Sequence, residues 1–383
     1  MSNRTDLLPN LQVISDVRIS RRALIGTAGA AAAAFTLPSI VGAQSTPEGD
    51  PFKVAFIYIG PVGDLGWTWA LDQGRIYLEE NIANVETAYS ENVPETGADA
   101  ARVIRDYAQK GYQLIVATSF GYMQATIDVA AQFPETQFIH ISGYMTAENA
   151  STAFGKIEEP RYVSGQIAGA MSESGKLGYV AAVPIPEVIR GINAFTRGVR
   201  SVKPDATVQV VWTNTWYDPQ LERQAAEALL DGGADVIAQH QDTAGPQQAA
   251  EAAGKYGVGY NADMSEIAPG AVLTSPIWHW GVYFADAVSQ IQAGTWTSNQ
   301  YWGGWKDGVV DLAPITDLVP EDVKAAAEAE LFKSGEKDIF TIFTGPINDQ
   351  DGNEQVAEGT AMTAEELLAM TWFVEGVIGD IAS

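Results

Sequence analysis

The chain has 383 residues, room for two domains of ordinary size, and its 46% apolar and 18% charged residues are those of a globular protein. Acidic residues outnumber basic ones 48 to 22, and the resulting net charge of −26 repels nucleic acid and anionic lipid, leaving neither as a main partner. The absence of cysteine excludes disulfides, thiolate metal sites, cysteine nucleophiles and a lipid attached to cysteine.

The first segment pairs Arg21 with Arg22, runs uncharged to Ala43, and ends in "VGA", a small-x-small cleavage pattern. A membrane span is the competing reading. The stretch is rich in Ala and Gly and contains Pro38, so it is weakly apolar for a permanent anchor. A twin-arginine export signal over 1–43, then a linker over 44–51, is the expectation.

From residue 52 onward, short β-branched or aromatic runs alternate with helical spacing. The predicted strands are "FKVAFIYI", "VETAYS", "QLIVATS", "TQFIHIS", "KLGYVAAV", "TVQVVWT", "ADVIAQH", "YGVGYNA" and "AVLTSPI". One predicted helix, Glu187 to Val202, gathers Val188, Ile189, Ile192, Phe195, Val199 and Val202 on one face. Another opens at Asp218-Pro219, an N-cap followed by proline at the first helical position. "KIEEPRYVSGQIAGAMSESG" reads as a crossover and helix between two strand sets. Beyond Trp278 come a helix, a short strand pair in "YWGGWKDGVVDLAP" and a helix in "PEDVKAAAEAELFK". This alternation predicts an α/β protein whose parallel sheets are covered on both faces.

In such sheets ligands bind beyond the carboxyl ends of the strands. The residues there are "GDLGWTW", "TSFGYM", "SGYM", "WTNTWYD", "QHQD", "NADM" and "IWHW". Trp67, Trp69, Trp212, Trp216, Trp278 and Trp280 all fall at these junctions, which suggests a cleft that sandwiches a flat or ring-shaped molecule. Trp67 and Trp69 would point nearly opposite ways on a helix, so one of them, Trp67 by preference, faces the ligand and the other packs inward. Gly63 serves a turn that lets the chain approach the ligand. Asp64 reads equally as an N-cap or a contact. Ser119 opens a helix whose free N–H groups can receive a ligand oxygen. Asn214, His240, Asp242, Asp263 and Trp280 complete the candidates, each with a capping or packing role as its alternative. Glu158 and Glu159 read as solvated surface. There is no H-E-x-x-H, G-x-S-x-G, P-loop or dinucleotide fingerprint, so neither a metal nor a cofactor is expected and nothing demands catalysis.

"KVAFIYIGPVGDLGWTWALDQGR", "ENVPETGADAARVIRDYAQKGYQLIVATSFGYM", "LGYVAAVPIPEVIRGINAF", "VVWTNTWYDP", "GADVIAQHQD" and "FTGPINDQDG" resemble the basic membrane protein (BMP) family of ABC-importer solute-binding proteins, related to purine nucleoside receptors. The resemblance runs from Phe52 nearly to the C-terminus. It implies a type I periplasmic-binding fold, with two Rossmann-like lobes joined by a multi-strand hinge and a purine base or nucleoside, such as adenine, held between them. One lobe would comprise 52–160 plus about 278–300, the other 161–277 plus about 301–383. By the same resemblance Trp67 stacks on the purine, while Phe120, Trp216, Asp242 and Asp263 line the rest of the cleft. Trp69 and Leu71 stand where the family often has tyrosine and histidine. The implied protein is a monomeric, periplasmic receptor without a lipid anchor that passes its ligand to ABC permease subunits. A sugar receptor and an exported nucleoside hydrolase are the competing readings.

Overall fold

A computed structural model describes residues 49–63, 65–330 and 332–381. The expected export signal, the first residues of the linker and Asp64 lie outside the described residues. The first strands and helices are β1 (Phe52–Ile57), α1 (Trp67–Asn81), β2 (Val85–Ser90), α2 (Gly97–Gln109), β3 (Leu114–Ala117), α3 (Met123–Ala130), β4 (Gln137–Ile141) and β5 (Ala150–Gly155). The second series is α4 (Glu158–Met171), β6 (Lys176–Ala181), α5 (Pro186–Val202), β7 (Thr207–Trp212), α6 (Pro219–Asp231), β8 (Val236–His240), α7 (Gly245–Ala252), β9 (Tyr256–Val258) and β10 (Val272–Thr274). The chain then returns through β11 (Pro276–Trp278), α8 (Trp280–Ala293), β12 (Gln300–Gly303) and β13 (Val310–Leu312). It closes with α9 (Glu321–Glu328), α10 (Ile339–Ile342), β14 (Ile347–Asn348), β15 (Glu354–Val356), α11 (Ala364–Leu368) and β16 (Val377–Ile378).

Two parallel six-stranded sheets result, in the orders β12-β5-β4-β3-β1-β2 and β10-β9-β8-β6-β7-β16. Helices cover both faces, so interior strands such as β3 and β8 are buried along their whole length. Apolar residues pack on each side of the first sheet, around Phe56, Val116 and Ile139 on one face and around Ala55, Ile115 and Phe138 on the other. The second sheet does the same around Tyr179 and Val208, and around Val180 and Ile237.

The connections between the lobes depart from expectation. "AVLTSPI" is not one strand. It breaks at Ser275, with β10 in the second sheet and β11 paired antiparallel to β13. The strands of "YWGGWKDGVVDLAP" do not pair with each other. β12 runs parallel to β5 in the first sheet and β13 joins β11, so the lobe boundary expected at about 300 cuts β12. The small-residue strand β5, "ASTAFG", was not among the predicted strands, yet it is fully buried between β4 and β12. In the second lobe α4 and α5 pack backbone to backbone. A Cβ on Gly165 would meet the Phe195 oxygen at 2.2 Å, and one on Gly198 the Tyr162 oxygen at 2.0 Å. This contact sets the N-terminal turns of both helices side by side, with Glu187 at the cleft and Glu158, Arg161 and Arg190 behind it.

Candidate ligand cleft

Between the lobes lies a cleft lined by Ile59, Trp67, Ser119, Phe120 and Ser142 from the first, and by Glu187, Trp216, His240, Asp242 and Tyr260 from the second. Its walls stand close: they leave about 350 Å³ between them and touch where the Trp67 N–H meets Asp242 at 3.3 Å.

Trp67 is the first residue of α1, placed by the turn from β1. Its indole Nε1 donates to the Thr118 carbonyl at 2.6 Å, and its ring stands edge-to-face with Trp278 and Trp280 at 5.5 and 5.7 Å. Trp278 and Trp280 stack on each other at 4.9 Å, and Trp280 stacks on Phe284. A rigid aromatic block thus fixes the Trp67 ring. Ser119 donates its hydroxyl to Glu95, which also accepts from Gly121 N at 2.9 Å. His140 Nε2 donates to the Ser119 carbonyl at 2.7 Å. Burial pushes its pKa down to about 4, so the ring is neutral and holds the loop as a plain hydrogen-bond donor.

The second wall is polar. His240 ends β8, is 4% exposed, and packs against Tyr260 at 4.7 Å and Trp216 at 6.4 Å. Burial, reinforced by the cations of Arg161 and Arg190, pushes its pKa well down, and its Nδ1 has no hydrogen-bond partner among the described residues. Arg161 lies beneath this wall. Its guanidinium sits 3.9 Å over the Tyr260 ring and donates to the Tyr179 hydroxyl and, at 3.1 Å, to the Gln239 carbonyl. Asp242 accepts from Asn261 Nδ2 at 3.2 Å and, across the cleft, from the Trp67 backbone N–H at 3.3 Å. The lobes also touch at Gly66, where a Cβ would meet the Asp242 carbonyl oxygen at 2.2 Å.

Of the sequence candidates, Trp67, Ser119, Phe120, Trp216, His240 and Asp242 are brought together at the cleft. Trp280 is not: it is 0% exposed, inside the block that backs Trp67, because it is the first residue of α8 and points into the first-lobe core. Asp263 is exposed and closes its own turn by accepting from Ser265 N at 2.9 Å. Asn214 is an exposed turn residue with φ of 57°, a left-handed conformation asparagine tolerates. Gly63 is likewise exposed and away from the lining. Trp212 stacks on Phe373 and anchors the tail by donating to the Asp380 carbonyl at 2.9 Å. Trp69 is half-buried against the first-lobe core.

Sequence reasoning missed Glu187, Tyr260, Ile59 and Ser142. Glu187 lies just beyond β6, in the "VPIPE" that follows the fifth predicted strand, a junction where the candidate residues were not sought. Glu158 and Glu159 are corrected outright: they are 0% and 2% exposed. Glu158 pairs with buried Arg190 at 2.6 Å, and Glu159 accepts from the Trp305 and Ile339 backbone N–H groups at 2.7 and 3.1 Å. Burial pushes the Glu159 pKa up to about 7.

Among the described residues no group of His, Asp or Glu could hold a metal ion, and no helix is long and apolar enough to cross a membrane. Two parallel-sheet lobes with facing carboxyl edges and an aromatic cleft define a protein that closes on a small ligand. The chain belongs to the Bmp family, described as ABC transporter substrate-binding protein PnrA-like, which it matches over residues 52–351. It is 46% identical over 331 residues to a purine-binding protein of Brucella abortus, covering 86% of this chain and 93% of that one. It is also 40% identical over 338 residues to a Haloferax volcanii protein provisionally named an ABC transporter glucose-binding protein, covering 88% and 83%. Solved solute-binding proteins from Conexibacter woesei (TM-score 0.61, 24% identity, 76% of this chain and 99% of that one) and Aeropyrum pernix (TM-score 0.63, 21% identity, 76% and 84%) share the fold. That fold is the two-lobed type I periplasmic-binding fold.

Proposed function

We propose that the chain is an extracytoplasmic receptor that closes on a purine base or nucleoside and delivers it, unchanged, to the permease of an ABC importer. The observation that carries this reading is the aromatic cleft: Trp67, clamped edge-on by Trp278 and Trp280, shares it with Phe120 and Trp216. Flat apolar faces suit a planar heterocycle, and base–aromatic stacking contributes about 1–3 kcal/mol per base. Ser119, His240, Asp242, Glu187 and Tyr260 would supply the hydrogen bonds that orient it. The 46% identity to the Brucella purine-binding protein supports the ligand class. Export through the twin-arginine route would follow from the paired arginines at Arg21 and Arg22.

A sugar is the second reading, favoured by the 40% identity to the Haloferax protein and by the carboxylates of the second wall. Native mass spectrometry of the gently purified protein, followed by denaturation and identification of what is released, separates the two. A stoichiometric purine or nucleoside supports the first, and a hexose supports the second. Conversion of added nucleoside to base and sugar would overturn both in favour of an enzyme.

A further inference from the structure

Glu187 is the group in the cleft with the least explained surroundings. It occupies the first turn of α5, and its side chain retains 15% exposure, directed to the cleft it lines. Its Oε1 stands 4.0 Å from His240 Nε2, beyond hydrogen-bond reach, and its carboxyl forms no hydrogen bond among the described residues. A largely buried carboxyl that makes no hydrogen bond is costly unless it is neutral or meets a partner in another state of the protein.

Charged groups face it from every side. Arg190 comes from its own helix, Glu158 and Arg161 from α4, His240 from the end of β8, and Glu95 from the first lobe. The two arginines would favour the carboxylate, but each is already engaged. Arg190 is paired with Glu158 at 2.6 Å, and Arg161 is held over Tyr260 while donating to Tyr179 and Gln239. His240 stays neutral and gives no compensating charge. Burial therefore dominates and pushes the Glu187 pKa up to about 8, so at neutral pH the group holds its proton.

Resting on the purine reading above, we infer that Glu187 is a specificity-determining residue that gives one hydrogen bond to the ligand's ring edge and takes one from it. A carboxylic acid matches an edge presenting a donor beside an acceptor, as the amino group and adjacent ring nitrogen of a 6-aminopurine do. A carboxylate, which only accepts, does not. The proton on Glu187 belongs to the binding site, and affinity for such a neutral ring falls as that proton is lost.

Calorimetric titration of the mature protein with adenine between pH 6.5 and 9.0 tests this, using wild type, E187Q and E187A. Wild-type affinity should fall about tenfold across the range, as expected for one required proton. Glutamine keeps a donor and an acceptor without titrating. E187Q should therefore bind within about threefold of wild type at pH 6.5 and show no pH dependence, while E187A should be about tenfold weaker there. A wild-type affinity indifferent to pH, or an E187Q that follows the wild-type pH curve, overturns the inference and leaves the purine reading standing. If wild type binds no purine at any pH, both fall together.

Discussion

The two walls of the cleft are built on different principles. The first lobe contributes Ile59, Trp67, Ser119, Phe120 and Ser142, none of which carries a charge. Every ionisable lining residue, Glu187, His240, Asp242 and Tyr260, comes from the second. The first wall is held by packing: Trp67 rests on an aromatic block, and its ring nitrogen is tied to a backbone carbonyl. The second is held by buried charge, through Arg161 on Tyr260 and the Arg190–Glu158 pair. Area and rigidity thus come from one side and discrimination from the other, because a buried polar group left unpaired by the wrong ligand costs about 1–3 kcal/mol.

The largest expected effect lies beneath the second wall. Replacing Glu158 by alanine strands Arg190, 1% exposed, without its counter-charge, and breaking a buried pair from one side costs about 3–5 kcal/mol. Urea unfolding should register this as a large drop in midpoint. A loss below about 1 kcal/mol would mean that the wall does not depend on the pair.

The first wall is tested by Trp67→Ala, which should weaken purine binding about 10–100-fold when titrated against wild type. Trp67→Phe retains a ring and should recover most of the loss. If Trp216→Ala proves more costly than Trp67→Ala, the second lobe supplies the area as well, and the division of labour fails.

Three of the five lining residues of each wall could be read from the sequence, Trp67, Ser119 and Phe120 in the first and Trp216, His240 and Asp242 in the second. Trp67 and Phe120 follow strand ends, and in a parallel sheet the chain order alone brings strand ends to one edge. The same logic overreached at Trp280, because position after a strand does not say whether a helix's first side chain turns outward or into the core. Glu158 and Glu159 were read as surface since their partners, Arg190, Trp305 and Ile339, are remote in the chain and met only through the fold. β5 escaped notice because "ASTAFG" lacks the bulky β-branched run of its neighbours. Its strand form is imposed by pairing with β4 and β12 rather than by local preference.

Gly66 is where the walls meet, so it reports on closure itself. A methyl group there would strike the Asp242 backbone at 2.2 Å, and backbone cannot swing aside as a side chain can. Gly66→Ala should hold the lobes apart and weaken ligand binding about tenfold, with little change in the thermal midpoint of the free protein. An equal loss in the free protein's stability would show that Gly66 serves the turn before α1 instead.

The smallest effect is a pH dependence that belongs to the second wall and the start of α4. Glu187 and Glu159, with pKa values pushed up to about 8 and about 7, keep protons in the folded state that the unfolded chain has released, and burial raises Glu222 in the same direction. Their stabilisation is full below the ordinary carboxylate range and is lost as pH rises through the folded values. Buried His140 and His240 act oppositely: the unfolded chain takes up protons below about pH 6.5 that the folded state refuses. Between about pH 4.5 and 6.5 the two sets offset each other. Above about 6.5 the histidine contribution levels off and the glutamates set the slope, so stability should decline towards pH 8.5, most of it through Glu187. Thermal unfolding of the ligand-free protein should show a shallow maximum near pH 6.5, and E187Q should remove most of the decline at the alkaline end. A decline that survives in E187Q and disappears in E159Q would place the titrating proton at the start of α4, and the polar wall would then be silent in the free protein.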